Sequence, residues 1–288
     1  MIRDALGLGL DLPQEGSSTL PRVGDVWVVS SNGVDEGVVL ISAVRDGYVL
    51  AWPVTSCAEN ASFPSFELSL ANVAPLVAWP EAEFGLANAG LNRGLGNAIS
   101  PELASKVMRS LRTGAHIEGI KHRPVRVDPA ADDALDAVCA EAWRLGELAE
   151  RQGDERIVFD PAVLTAADIT PETLEQSLSL APARASRLHQ GQAVPSEADV
   201  EGVLALLPQG TAVEDVMRPI SGPEAKVVSL PAYKRHIQEL ARQRGMAESQ
   251  ARALVWETAT SIAARDPRSK TDESARRRVE IAINSLLG

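Results

Sequence analysis

Few side chains in this chain could do chemistry, and their spacing excludes most familiar reactions. Cys57 and Cys139 are the only cysteines, far apart and outside any Cys-x-x-Cys or Cys/His pattern, so neither a disulfide framework nor a zinc site is expected. No GxGxxG or GxxxxGKS/T pattern cradles a phosphate, and Gly7-Leu8-Gly9 is too early and isolated to stand in for one, so no metal, nucleotide or redox cofactor is expected. Hydroxyls and arginines remain. Thr55 and Ser56 end the apolar run YVLAWPVTS, where a Thr-Ser pair can simply close a strand at a turn. Arg22, Arg45 and Arg93 are the only basic residues from 22 to 105.

Charge is unevenly placed. The formal net charge of −11 argues against a generic nucleic-acid coat but leaves room for a local basic site. From Pro231 to the end, 11 Lys and Arg stand against 7 Asp and Glu, so this stretch carries +4 and the other 230 residues −15. A basic C-terminal module on an acidic body is a partner-binding pattern; the plainer alternative is a set of solvated helix faces.

The elements that must position these residues follow from pattern. With 288 residues and 45% hydrophobic content, the chain can bury one large core or two to three small ones. Aromatics are only 4%, and the abundance of Ala, Leu and Val favours helices overall, with the sheet signal local. Residues 21–113 hold five β-rich runs, VGDVWVVSS, GVVLISAV, YVLAWPVTS, SFELSL and PLVAWPEAEF, between turn residues, which read as a small barrel or sandwich. Asp46-Gly47 suits a two-residue hairpin, and Ser100-Pro101-Glu102 starts a closing helix. A 1–20 arm precedes the barrel. Its apolar stretch is too short for a signal or membrane span, and no later segment spans, so a reducing cytoplasm without membrane partners is expected.

Residues 114–130 read as a linker. A helix from Asp132 to near Gly153 places Leu135, Val138, Cys139, Ala142, Leu145 and Leu148 on one face and opens a helical domain over 131–207. A second linker covers 208–230, with VEDVM and AKVVSL as locally packed pieces, and a basic helical domain fills 231–288. Its last helix, Asp272 to Leu287, presents Val279, Ile283, Leu286 and Leu287 for packing or dimerisation. The expected class is α+β, with a small SH3-like β-barrel followed by a mostly α-helical half.

The barrel resembles a known family. Pro21-Arg22-Val23-Gly24-Asp25-Val26-Trp27, Gly37 to Ser42, Tyr48 to Ser56 with its Pro53-Val54-Thr55-Ser56, Phe63-Pro64-Ser65-Phe66-Glu67-Leu68 and Ser100-Pro101-Glu102-Leu103 follow the order of elements in the MazF/PemK toxin endoribonucleases over residues 21–112. The resemblance implies metal-free RNA cleavage through the ribose 2′-hydroxyl, which needs a group to neutralise charge building on the phosphate. It assigns phosphate contact to Thr55 and Ser56 and a catalytic role to an arginine just before the second strand. Here that neighbourhood reads Asn32-Gly33-Val34-Asp35-Glu36-Gly37, so Glu36 stands at or beside the missing cation. A carboxylate repels phosphate, and losing a charge-stabilising donor typically costs about 10²–10³ in rate. Arg22, Arg45 and Arg93 are the cations left to bind RNA.

The second half resembles a DNA reader. Thr170 to Gly191 is similar to the Cro/C1-type helix-turn-helix, with a capped helix, a short turn and a second helix carrying Ser186-Arg187-Leu188 before Gly191; Val194-Pro195-Ser196 then opens a further helix reaching Leu207. Leu174, Leu178, Leu180, Ala185 and Leu188 would pack the pair. Ala183, Ser186, Arg187 and Gln190 would face a major groove, and Arg184 would reach a phosphate or base. Glu175 and Ser179 replace the small inner residue and turn glycine of that pattern. A second candidate, Ile237 to Leu254, has Ala241 and Gly245 at its small positions and offers Arg242 and Arg252. An ordinary helical hairpin is the alternative for both.

The leading expectation is therefore a DNA-binding regulator of toxin-antitoxin type whose barrel has lost its chemistry. An active endoribonuclease with fused regulatory helices and an interaction scaffold away from nucleic acid are the alternatives. DNA, RNA, a protein partner and a second copy of the chain are the partners considered; both resembled families imply a homodimer.

Overall fold

Asn32 and Gly33 hold φ of 48° and 77°, the positive pair that a tight hairpin turn needs, and so join β1 (Asp25–Ser31) to β2 (Val34–Val44). The protein is represented by a computed structural model describing residues 20–56, 59–70, 73, 75–153, 156–265 and 271–288; most of the expected 1–20 arm, and Cys57, lie outside them. Asp46 and Gly47 turn β2 into β3 (Tyr48–Ser56), as expected, with the Arg45 N–H donating to the Tyr48 carbonyl over 2.9 Å. The second strand therefore begins at Val34, earlier than the run from Gly37, and carries Asp35 and Glu36.

With β4 (Phe66–Leu68), β5 (Leu76–Ala78), β6 (Phe84–Ala87) and β7 (Leu91–Asn97), the strands form an antiparallel sheet in the order β4-β5-β3-β2-β1-β7, β6 also pairing with β3. The sheet curls into a half-barrel. Its strands read as nearly continuous apolar runs because both faces are covered. Val26, Val28, Val38, Leu40, Trp52 and Val54 point to one side, where α1 (Pro101–Thr113) adds Ala104 and Val107. Trp27, Val29, Val39, Ile41, Val49 and Ala51 point to the other, where Leu145 and Ala149 of α2 (Pro129–Gly153) cover them. Ser100 caps α1, accepting from the Leu103 N–H, and Pro101 opens it. A Cβ on Gly90 would lie 2.7 Å from that of Ala149, so glycine allows this helix its close approach.

The chain divides into two compact units: residues up to Gly153 with Ser229–Gln238, and Asp154–Val228 with Glu239–Gly288. Three expected boundaries shift. The helix assigned to the 131–207 domain belongs with the barrel, since its apolar face needs the outer face of the sheet. The 114–130 linker lies along β4, where the Glu67 N–H donates to the Lys121 carbonyl and the Arg123 N–H to the Ser65 carbonyl. The start of the basic C-terminal module is likewise part of the barrel unit. Lys234, 2% exposed, donates to the carbonyls of Ser30 and Ala89 over 3.1 and 2.6 Å, and Ile237 is fully buried.

In the second unit, β8 (Arg156–Phe159) pairs antiparallel with β9 (Met217–Pro219). Between them run α3 (Pro161–Ala166), α4 (Pro171–Leu178), α5 (Pro182–His189), α6 (Glu197–Leu206) and α7 (Val213–Val216). Phe159, Leu164, Leu174, Ala185, Leu188, Val203 and Val216 form their core. The expected 208–230 linker thus contains α7, β9 and α8 (Pro223–Val228). The unit also holds the C-terminal part of α9 (Pro231–Arg244), α10 (Glu248–Arg265) and α11 (Asp272–Leu287). Val255, Trp256 and Ala259 of α10 are buried, and Arg278 of α11 donates to the Glu224 carboxylate of α8 in a buried ion pair.

Candidate nucleic-acid interface

The barrel's hydroxyl pair ends β3, but the Thr55 side chain is built into the core. It is 2% exposed, and its Oγ1 accepts from the Trp79 indole N–H over 2.9 Å. Ser56 beside it is half-buried. Of the three arginines, Arg22 and Arg45 are exposed, Arg45 donating to the Val44 carbonyl beside its turn. Arg93 lies on β7, 8% exposed, with a bidentate grip on Asp35 over 3.0 and 2.7 Å. In this arrangement Thr55 does not present its hydroxyl to solvent, and Arg93 is committed to a carboxylate.

Glu36 has a cation after all, though from an element no local pattern could nominate. Arg144 of α2 donates to its Oε2 over 2.7 Å and to its carbonyl over 3.0 Å, while also gripping Glu141. The hydrogen bonds that Arg144 donates to Glu141 and then to Glu36 raise its pKa above the ordinary arginine value. One guanidinium between two carboxylates leaves a net negative cluster, which would repel phosphate. The i,i+3 spacing of Glu141 and Arg144 hinted at half of it.

The strap over β4 carries a titratable cluster that sequence reading passed over. His122 and His116 rings meet at 5.1 Å, each also against Phe63, at 5.0 and 4.8 Å. His122 Nε2 accepts the Ile117 N–H over 3.2 Å, which requires the neutral ring. Burial, with the nearby His116, holds its pKa below the ordinary imidazole value. On acidification the unfolded chain takes up this proton before the folded one, so the barrel is expected to lose stability as pH falls through about 6.5. Glu67, bonded to Lys121 and Arg123, has a lowered pKa and contributes a further loss at lower pH. Denaturant unfolding at pH 7.5 and 5.5 should show the His122 loss in the wild type and less of it in His122→Asn; equal losses would discard this role.

Across 170–191 the helical pair forms as expected. Thr170 caps α4, accepting from the Thr173 N–H over 3.2 Å; Ser179 takes the left-handed turn at φ 54°; Pro182 opens α5. Serine accepts a conformation in which glycine is cheapest. Ser196 and Asp199 form a reciprocal capping box on α6. On α5, Ala183 is exposed and Ser186 is half-buried, its Oγ accepting over 3.2 Å from the amide of Gln190, the exposed residue that follows the helix.

Both α5 arginines have carboxylate partners inside the unit. Arg184 donates to Asp199 over 2.7 Å. Burial pushes the Asp199 carboxyl up, but the Ser196 N–H and Arg184 outweigh it and hold the group below its usual range. Arg187 meets Glu257 of α10 at 3.3 Å and the Gln192 carbonyl at 3.0 Å, and Glu257 also accepts the Val194 N–H.

The second helix-turn-helix candidate also has its turn, with Gly245 at φ 63°. Arg242 is exposed and pairs with Glu239. Arg252, however, is 2% exposed and bonded to Glu248, itself 1% exposed, so Arg252 is not a surface reader.

Among the described residues, no group of three His, Cys, Asp or Glu side chains is arranged to hold a metal, and no helix is long and apolar enough to cross a membrane. Cys139 is half-buried, and burial, with Asp136 and Glu81 nearby, pushes its thiol pKa up, away from nucleophilic use. The chain matches no protein-family model, and no curated protein is significantly similar to it.

Proposed function

We propose that this protein is a DNA-binding regulator of toxin-antitoxin type, acting as a cytoplasmic homodimer, in which residues 170–207 dock α5 in a major groove and the MazF/PemK-like barrel serves as a non-catalytic body. The observation that carries the reading is the helical pair α4 and α5, packed across the Ser179 turn with Leu174, Ala185 and Leu188 inside and the start of α5 exposed. Residues 156–219 contain four arginines against nine Asp and Glu, so phosphate neutralisation falls to Arg242, Arg244, Arg276 and Arg277, all exposed on α9 and α11. The internal Thr55 hydroxyl and the Glu36, Arg144 and Glu141 cluster support a barrel that does not cleave RNA.

Ala183→Glu is the test. The side chain is exposed, so the fold should persist by circular dichroism, while a carboxylate against the groove should weaken duplex binding by about tenfold or more. Unchanged binding would remove α5 from the interface, and metal-free cleavage of single-stranded RNA that is lost in Thr55→Ala would restore the nuclease reading.

A further inference from the structure

Arg218 of β9 is half-buried, and its guanidinium meets no acceptor. Its Nε lies out of solvent's reach without a hydrogen-bond partner, and among the described residues no carboxylate pairs with it. Across the ladder it stands opposite Val158, a fully buried residue that sets hydrocarbon beside the arginine stem. Two carboxylates on adjoining segments are committed elsewhere. Asp160 caps α3, accepting the Ala162 N–H over 2.9 Å, and Glu257 takes Arg187 and the Val194 N–H. Arg184 and Arg187 are thus neutralised within this acidic stretch, by Asp199 and Glu257, and Arg218 is not.

The turn after α5 admits the cation. Gly191 takes the left-handed conformation at φ 61°, and a Cβ there would lie 3.0 Å from Nη2 and 3.3 Å from Nε of Arg218, with the Phe159 carbonyl oxygen 2.7 Å from the same point. The guanidinium therefore occupies space that any side chain at 191 would need. A charge withdrawn from water is costly unless it is paired, and folded proteins answer such groups with a carboxylate, a carbonyl or a bound anion. The terminal nitrogens of Arg218 are not enclosed as Nε is, so an anion can reach them. We infer that Arg218, set over the Gly191 turn, is an anion site that takes a phosphate-class oxyanion. The planar fork of guanidinium donors matches two phosphate oxygens at once. A free phosphate and a phosphodiester of duplex DNA present the same oxygens; the second source rests on the DNA-binding reading above, and the first does not.

Inorganic phosphate titrated into the full chain at constant ionic strength tests the site. At roughly tenfold excess over Kd it should raise the thermal midpoint of the wild type by about 2–5 °C. Phosphate also stabilises proteins generally by exclusion from their surface, so the quantity to measure is the difference from Arg218→Met, which keeps the apolar stem and should lose the specific shift. Arg218→Lys, with the charge but not the fork, should keep part of it. If the site serves duplex phosphate instead, inorganic phosphate moves wild type and Arg218→Met alike, while the log–log salt slope of duplex binding falls by about 0.9 in Arg218→Met with circular dichroism unchanged. Equal phosphate shifts together with equal salt slopes would overturn the site. Absence of duplex binding would overturn the DNA-binding reading alone: a phosphate shift confined to the wild type then upholds the site, and an equal shift overturns it.

Discussion

Asp35→Ala is expected to destabilise the barrel by about 3–5 kcal/mol, the range for removing one partner of a buried ion pair. The side chains of Arg93 and Asp35 retain only 9% and 21% of their exposure, and two hydrogen bonds hold the pair in bidentate geometry. Removing the carboxylate strips the largely buried guanidinium of this grip. The double variant Asp35→Ala/Arg93→Met should recover much of the loss, since no buried charge then remains. Denaturant midpoints at unchanged slope would measure both. A single-variant loss below about 1 kcal/mol would mean that the pair behaves as a solvent-screened surface bridge.

Leu188→Ala should cost about 2–5 kcal/mol in the second unit, because this fully buried side chain fills the space among Phe159, Leu174 and Val203. The loss falls on the elements that hold α5, so amides of α4, α5 and α6 should exchange roughly 30-fold faster or more. On the proposed DNA-binding reading, duplex binding should fall with them, whereas Ala183→Glu should weaken binding about tenfold without changing exchange. If Leu188→Ala left exchange in α4 to α6 unchanged, the packing of the helical pair would be misdescribed.

What was legible in the sequence was local chemistry. Asp46-Gly47, Ser100-Pro101 and Thr170-Pro171 each specify a turn or cap within a few residues, and each does so in the structure. The strand β7 was not legible, because Asn92, Gly94 and Gly96 read as loop residues; pairing with β1 overrides their propensity. Nor was the destination of α2. Its apolar face announces burial without naming a partner, and the partner is the outer face of a sheet that precedes it in the chain.

The candidate site shows the same limit more sharply. Thr55 and Ser56 could be found by motif, but the indole that occupies the Thr55 hydroxyl is 24 residues away. The local sequence around Glu36 holds no arginine, whereas Arg144 arrives from 108 residues downstream. The arginines of α5 were nominated as readers by helical position. Their carboxylate partners, 15 and 70 residues on, are tertiary facts that no helical spacing contains.

The most direct test of the account is a titration of the full-length protein with a fluorescent 20-base-pair duplex pool at several salt concentrations, with single-stranded RNA of equal length in a parallel cleavage assay without metal. The account predicts saturable duplex binding that weakens linearly on a log–log plot as salt rises, and intact RNA. Absence of duplex binding at the lowest salt, or RNA cleavage by the wild type, would contradict it.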